Sequence, residues 1–292
     1  MPANSFSILK TSLLDLLHEL EGKDVPIILG GGYGLYLKQL YLQESNLNTL
    51  IDGTLWPRPR ATQDLDILVK TEVIANTGRL SSIRIALDKL GYMPVRGAEY
   101  MQFMKQLGNN RLVKIDFLTG PLDSFEDDPR MRVDGRRVRP RDSVKLHAHR
   151  TDEAIAFQEE TLELTIKGVL SKGDPYVGAV YIPQPFTYLL MKLFAFRDRK
   201  SDPEKGFARH HALDLYRIVA MLTREEYDQV LRLVQNYGEN HAVVVAKQII
   251  KQDFKSTESL GALRLREHDL FILGMDLQQF LATLSDLFRQ AG

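Results

Sequence analysis

Two aspartates separated by a single residue are the part of the sequence best suited to chemistry. Asp64 and Asp66 lead into the apolar run 67–69. Residues two apart on a strand share one face, so both carboxylates point the same way. Neighbouring carboxylates repel each other unless a cation lies between them, and their oxygens suit Mg²⁺ or Mn²⁺. Asp-x-Asp also occurs at solvated strand ends, so the interpretation depends on context.

Three further features supply that context. Gly31 and Gly32 lie between a predicted strand and a predicted helix, where free backbone amides and the positive helix end suit a phosphate. Asp116 lies inside another apolar strand, where a carboxylate is costly unless it is paired or metal-bound. Lys192 and Asp214 lie in apolar helical segments, so they either belong to a solvated helical face or project into a cleft.

Hydrophobic periodicity predicts the elements that position these residues. The predicted elements are a helix over 1–20, a strand over 25–29, a helix over 33–42, a strand over 65–69, a helix over 72–90, a hairpin of 99–107 with 112–118 across 108–110, and a strand over 162–166. Residues 43–60 lack periodicity and predict a loop. From residue 185 onward helix follows helix. The succession predicts an α+β protein, with a mixed-sheet domain over 1–183 and a helical domain over 184–292.

Composition excludes several classes of function. The chain has 292 residues, 38 basic and 38 acidic side chains, and no cysteine. Without cysteine there are no disulfides, zinc ribbons, iron–sulfur clusters or catalytic thiols, so a metal needs oxygen or histidine ligands. The longest apolar stretch, residues 25–37, is interrupted by glycines and is shorter than the roughly 18 residues of a membrane span. The sequence therefore predicts a cytoplasmic protein with no membrane partner and no signal peptide.

In their order along the chain, these motifs resemble the AbiEii-type nucleotidyltransferase-like proteins. That family comprises toxin components of type IV toxin–antitoxin and phage-abortive systems, within the polymerase β-like nucleotidyltransferase superfamily. The resemblance covers about residues 25–219 and rests on the double glycine, Arg-x-Thr-x-Asp-x-Asp from Arg60 to Asp66, the third strand aspartate, and a lysine and an aspartate on two successive helices. It implies a nucleotidyltransferase-like sheet domain followed by a helical bundle.

The resemblance also implies an activity and roles for individual residues. The implied reaction is metal-dependent transfer of a nucleoside monophosphate from an NTP to an acceptor hydroxyl, with Mg²⁺ or Mn²⁺ as cofactor and an antitoxin protein as a partner. The implied site residues are Asp64, Asp66 and Asp116 for metal binding, and Gly31, Gly32 and Thr62 for nucleotide binding. Lys192 is implied beside the triphosphate, and Asp214 as the last catalytic residue, which orients Lys192 or a nearby base. Asp116 either binds a second ion or accepts the proton of the attacking hydroxyl.

The sequence leaves open which molecule accepts the nucleoside monophosphate and whether the protein catalyses the transfer. Eight basic residues lie between Arg130 and Arg150, opposed within that stretch by Asp134 and Asp142. Such a stretch either follows an RNA backbone, such as that of a tRNA acceptor stem, or forms a charged surface hairpin. Small-molecule hydroxyls and protein side chains are alternative acceptors. A nucleotide-binding regulator with weak or no catalysis is the second hypothesis.

Overall fold

The computed structural model describes residues 2–108 and 111–289 and confirms the α+β architecture. The predicted hairpin tip at 109–110 lies outside the described residues. Within them, ten strands form one mixed sheet. The strands are β1 (Ile28–Leu29), β2 (Asp64–Leu68), β3 (Met93–Pro94), β4 (Gln102–Leu107), β5 (Arg111–Thr119), β6 (Met131–Asp134), β7 (Arg137–Pro140), β8 (Ala148–Arg150), β9 (Leu162–Val169) and β10 (Pro175–Ile182).

Helices lie between the early strands and fill the second half of the chain. They are α1 (Pro2–Glu19), α2 (Gly31–Glu44), α3 (Thr71–Ala75), α4 (Thr77–Lys89), α5 (Pro185–Arg199), α6 (Arg209–Ala220), α7 (Arg224–Asn236), α8 (His241–Asp253), α9 (Leu260–Arg266) and α10 (Leu277–Leu287). In the portion of the chain that is described, none of the helices has the length and apolar character needed to span a membrane.

Two parallel strands, β2 and β5, are neighbours in the interior of the sheet. The strand order is β6-β7-β8-β5-β2-β1-β10-β9, and β4 pairs with β5 and with β3. Helices α3 and α4 connect β2 to the β3–β4–β5 segment, because strands that run parallel need a crossover. Leu65 and Ile67 of β2 and Ile115 and Phe117 of β5 are almost completely buried. The alternate residues of both strands therefore face the opposite side of the sheet.

One local prediction needs correction. The helix predicted over 72–90 is divided into α3 and α4 at Asn76, whose side chain accepts a hydrogen bond from the Arg79 amide and caps α4. The basic stretch forms an antiparallel hairpin of β6 and β7 that reverses near Gly135 (φ 61°). This agrees with the hairpin alternative for the basic stretch.

Contacts divide the chain into two units, one of Met1–Gly34 and Ala61–Pro183 and the other of Leu35–Arg60 and Gln184–Gly292. The predicted domains 1–183 and 184–292 differ from these units in residues 35–60. Backbone hydrogen bonds explain the difference: the Leu50 amide donates to the Leu222 carbonyl at 2.8 Å and the Ile51 amide to the Ala220 carbonyl at 3.3 Å. The aperiodic segment is therefore joined to the end of α6.

Candidate active site

Three carboxylates from two strands meet on one face of the first unit. In the parallel register of β2 and β5, Asp66 is paired with Asp116 and Asp64 with Lys114. Adjacent strands are about 4.8 Å apart, so residues separated by fifty positions in the sequence become neighbours. We call Asp64, Asp66 and Asp116 the carboxylate cluster. The structure therefore brings together the three aspartates that the sequence selected.

Asp116 is the most constrained member of the cluster. Its Oδ2 accepts hydrogen bonds from Lys114 Nζ at 2.9 Å and from Gln102 Nε2 at 3.3 Å. Its Oδ1 is buried and, within the described parts of the chain, has no hydrogen-bond partner. Burial raises the pKa of Asp116 to about 6; the hydrogen bond from Lys114 opposes the shift, and the charges of Asp66 and Asp64 add to it.

Lys114 is a member of the site that the sequence interpretation missed. Its ammonium pairs with Asp116 and, in the register of the sheet, its backbone lies beside Asp64. The ammonium of Lys114 therefore lies among the carboxylates of the cluster. The sequence did contain a sign of this contact: Lys114 and Asp116 are two positions apart on a strand, which places both side chains on the same face.

The start of α2 lies directly against Asp66. Gly31 has φ 60°, and a Cβ built on it would lie 1.7 Å from Asp66 Oδ2. The Gly30 amide donates to the Asp66 carbonyl at 2.8 Å, which joins the start of the helix to β2. First-turn amides of a helix lack helical acceptors and carry partial positive charge, so they suit a carboxylate or a phosphate. Asp66 therefore leaves room only for glycine at position 31.

Gly32 and Thr62 occupy supporting positions. Gly32 is buried in the first turn of α2. Thr62 is also buried, and its hydroxyl accepts a hydrogen bond from the Asp64 amide at 3.3 Å. This contact positions the first residue of β2. Nucleotide contacts by Gly31, Gly32 and Thr62 stay predictions.

The carboxylate cluster has the chemistry of a divalent-cation site. Carboxylate oxygens are preferred ligands of Mg²⁺ and Mn²⁺, and the partnerless Oδ1 of Asp116 offers an acceptor without a donor. In the side-chain positions described for residues 2–108 and 111–289, however, no three His, Asp or Glu groups are arranged as a metal site. The Lys114 ammonium is bonded to Asp116 Oδ2. Asp64 and Asp66 are thus the residues that would hold a cation first.

Lys192 and Asp214 belong to the second unit, where they form an ion pair. Lys192 Nζ of α5 donates to Asp214 Oδ2 of α6 at 2.8 Å. Asp214 is completely buried and Lys192 is 7% exposed. The prediction that Asp214 projects into a cleft is therefore wrong, because its carboxylate is enclosed by cations. The Asp214 carboxylate holds the Lys192 ammonium in place.

Asp214 carries more positive neighbours than one carboxylate can neutralise. Arg60 and Arg217 each approach a carboxylate oxygen at 3.5 Å, in addition to Lys192. Burial by itself would raise the pKa of Asp214, but Lys192, Arg60 and Arg217 together hold that pKa far below its ordinary value. Arg217 is 1% exposed, and burial lowers its pKa. The interior of the second unit thus concentrates positive charge around a single ionised carboxylate.

Comparison with known proteins gives a weak structural likeness. No protein-family model matches the chain, and no curated protein matches it. The chain is similar to the solution structure of the antibiotic-resistance factor ANT(2'')-Ia, with 10% identity over 80% of this chain and 99% of that chain and a TM-score of 0.33. It is also similar to the crystal structure of an antigenic nucleotidyltransferase-like protein from Paracoccidioides brasiliensis, with 13% identity, 81% and 91% coverage and a TM-score of 0.36. TM-scores this low carry no functional argument.

The contact between Gly31 and Asp66 predicts the effect of adding one methyl group. Gly31→Ala should lower the free energy of unfolding by about 1–2 kcal/mol for its left-handed backbone, and by a further 1–3 kcal/mol or so for overpacking. Gly91→Ala is the matched control, because Gly91 has φ 78° and open space around its Cβ position. Urea denaturation measures both variants, and equal losses would contradict a close contact at Gly31.

The cluster around Asp214 predicts a large cost for removing one charge. Asp214→Asn leaves Lys192, Arg60 and Arg217 without their shared anion, and should lower the free energy of unfolding by about 3 kcal/mol or more. Asp198→Asn, which removes an exposed partner of Arg197, should change it by less than about 0.5 kcal/mol. Similar stabilities of the two variants in chemical denaturation would refute the proposed importance of the buried cluster.

Five histidines predict loss of stability in acid. Burial is the largest cause that lowers the pKa of each one: His147 (to about 4), His149, His210, His211 and His268. Between the ordinary histidine pKa of 6.5 and these lower values, the unfolded chain binds more protons than the folded one. The free energy of unfolding should be fully retained above about pH 6.5 and should fall as the pH drops toward about 4.

Between pH 3.8 and about pH 6, the raised pKa of Asp116 makes the folded protein bind more protons than the unfolded chain. Asp116 therefore increases the free energy of unfolding as the pH falls, but the five histidines outweigh this single group. Urea denaturation across this pH range gives the slope, and His147→Gln should make it shallower. A protein that is more stable at about pH 5 than at about pH 7.5 would show that the sign is wrong.

Proposed function

We propose that this protein is a divalent-cation-dependent nucleotidyltransferase that moves a nucleoside monophosphate from an NTP to an acceptor hydroxyl. The observation that carries the proposal is the carboxylate cluster, in which three aspartates of two adjacent parallel strands share one face beside the start of a helix. Transfer of a phosphoryl group requires neutralisation of charge on attacking and leaving oxygens. A carboxylate cluster beside the N-terminus of a helix supports that requirement.

Asp64 and Asp66 would hold the cation, and the first turn of α2 would bind phosphate oxygens through its amides. A bound divalent cation supplies Lewis-acid polarisation of the reacting phosphate and charge neutralisation of the leaving group. Gly31 permits the close approach between the helix and Asp66, so the groups that bind phosphate and cation are adjacent. Thr62 holds the Asp64 backbone in place.

Asp116 is the group best suited to accept a proton. The acceptor hydroxyl oxygen forms a bond to the α-phosphorus, the bond between that phosphorus and the β-phosphate oxygen breaks, and pyrophosphate leaves. The hydroxyl proton passes to the Asp116 carboxylate, whose Oδ1 lacks a hydrogen-bond donor among the described residues. Lys114 orients that carboxylate through Oδ2. In this proposal Lys192 neutralises polyphosphate charge, and Asp214 positions Lys192.

The pairing of Lys114 with Asp116 favours a second candidate function. An ammonium in the cluster already neutralises one carboxylate, which lowers the demand for a cation. A protein of this kind would bind NTP and regulate a partner with weak or no transfer. The two candidates differ in a measurable way, because only the transferase incorporates label from an α-labelled NTP.

The finer biological assignment rests on the resemblance of the motifs. We propose a toxin of a type IV toxin–antitoxin or abortive-infection system, with an antitoxin protein as partner, tRNA as an acceptor and a cytoplasmic location. The basic stretch supports an RNA acceptor less than its composition suggests. Arg130 pairs with Asp128, Arg139 with Asp134, and Arg150 with both Glu126 and Asp152. Arg132, Arg136, Arg141 and Lys145 are the remaining exposed basic residues of the stretch, and Arg136 lies nearest the hairpin turn.

Replacement of either aspartate of the pair tests the proposed function. Asp64→Asn and Asp66→Asn should each reduce transfer of α-labelled nucleotide to RNA or protein by at least about a hundredfold, because each removes a charged ligand of the cation. Both variants should remain folded, since one charge of a repelling pair is lost. EDTA should abolish transfer by the unaltered protein.

Asp134→Asn is the matched control, because Asp134 is an exposed strand aspartate that pairs with Arg139 outside the cluster. It should retain full activity. Transfer that survives EDTA, or that survives both cluster substitutions, would exclude the cation-dependent reaction. Binding of NTP with no incorporation into any acceptor would favour the regulator.

A further inference from the structure

A second site lies within the second unit, apart from the residues of the carboxylate cluster. A pocket of about 530 Å³ is lined by basic and imidazole side chains with one carboxylate among the described lining residues. Its ionisable lining residues are Arg60, Arg199, Lys205, His210, His211 and Glu204. We call this the basic pocket. Its volume is in the ordinary range for small-ligand sites.

The hydrogen bond between Arg199 and His211 determines which nitrogen of His211 carries the proton. Arg199 Nη1 lies 2.7 Å from His211 Nε2. A guanidinium only donates, so Nε2 accepts and His211 is neutral with its proton on Nδ1. Burial and the neighbouring cations also lower the pKa of His211. His211 Nδ1 is buried and, in the described part of the chain, has no acceptor.

A second chain of hydrogen bonds orients His210. The Leu270 amide donates to His268 Nδ1 at 3.0 Å, so a neutral His268 carries its proton on Nε2. His268 Nε2 lies 2.8 Å from His210 Nδ1, which therefore accepts. The proton of neutral His210 is left on Nε2. Both histidines of the basic pocket are thus hydrogen-bond donors that carry no charge of their own.

The charges of the basic pocket also favour an anion. Arg60, Arg199 and Lys205 contribute three positive charges, and Glu204 contributes one negative charge. Asp214 compensates Arg60 from the interior at 3.5 Å, yet it is shared with Lys192 and Arg217. Arg60 Nε is a further buried donor without an acceptor among the residues described. The pocket therefore offers N–H donors in excess of acceptors.

The first turn of α6 adds to the same preference. This twelve-residue helix begins at Arg209, and His210 and His211 lie in its first turn. Its N-cap residue, Ala208, offers no side-chain acceptor, and the Arg209 amide donates to the Gly206 carbonyl of the preceding turn. Helix N-termini attract anions through first-turn amides and the helix dipole.

From these contacts we infer that the basic pocket binds a phosphate group through Arg60, Arg199, Lys205 and His210, with the buried His211 holding the Arg199 guanidinium in place. Phosphate suits the site because its oxygens accept from planar guanidinium donors and from neutral imidazole N–H groups at the same time. Two sources share this chemistry, the polyphosphate tail of a nucleotide and the phosphodiester backbone of a polynucleotide. The inference does not depend on the carboxylate cluster or on transfer activity.

Calorimetric titration with pyrophosphate in EDTA tests the site, because chelation removes cation-dependent binding at the carboxylate cluster. Arg199→Gln should weaken pyrophosphate binding by about tenfold or more, since it removes a charge-assisted donor. Arg197→Gln is the matched control on the same helix, because Arg197 pairs with Asp198 and lies over Phe194. It should change the affinity by less than about twofold.

A parallel titration with an RNA oligonucleotide lacking terminal phosphates separates the two sources. If Arg199→Gln weakens binding of pyrophosphate only, the site binds a polyphosphate. If Arg199→Gln weakens binding of the oligonucleotide only, the site binds a phosphodiester backbone. Asp66→Asn should retain the binding, so failure of the transferase and failure of this site are distinguishable. Absence of binding by both probes, or equal losses in Arg197→Gln and Arg199→Gln, would overturn the inference.

Imidazole nitrogen resonances give a readout independent of affinity. In protein labelled with ¹⁵N-histidine at about pH 7, His211 should be neutral with its proton on Nδ1, and pyrophosphate should shift that resonance. Arg199→Gln should allow both neutral tautomers of His211, because it removes the guanidinium that donates to Nε2. A His211 with its proton on Nε2 in the unaltered protein, or one that does not respond to pyrophosphate, would contradict the inference.

Discussion

The parallel pairing of β2 with β5 is the constraint on which the candidate active site depends. Its register places Asp66 beside Asp116, although the two residues are far apart in the sequence. The same register buries Leu65, Ile67, Ile115 and Phe117 on the opposite face. A shift of one residue in either strand would move its carboxylates into the core and its apolar side chains out of it. Core packing therefore also fixes the position of the acidic residues.

Charge is separated into two kinds of environment in this protein. The carboxylate cluster holds more acid than Lys114 can neutralise, whereas the helices hold more base than Asp214 can neutralise. Neither imbalance is expected in a structure selected for stability alone, because buried ion pairs contribute little net stability and unpaired buried charges are costly. A cation at the first site and a phosphate at the second would relieve both imbalances.

Hydrogen bonds to backbone and side chains decide how each of these groups acts. Lys114 and Gln102 both donate to one oxygen of Asp116, which leaves the other oxygen for a proton or a ligand. Arg199 and the Leu270 amide determine which imidazole nitrogens carry protons in the basic pocket. These partners come from separate elements, and their positions set protonation states that residue type alone leaves open.

The sequence by itself determined the α+β class, most helices, five of the ten strands among the described residues, and the aspartates of the cluster. Period-two and period-3.6 patterns are local properties of the chain. Asn76 was not read as a break because one polar residue does not interrupt a helical pattern. Only the tertiary structure decided that residues 35–60 join α6, that Lys114 occupies the cluster, and that Asp214 is enclosed by Lys192, Arg60 and Arg217. Those contacts depend on strand register and helix packing between distant segments, for which single-sequence periodicity carries no information.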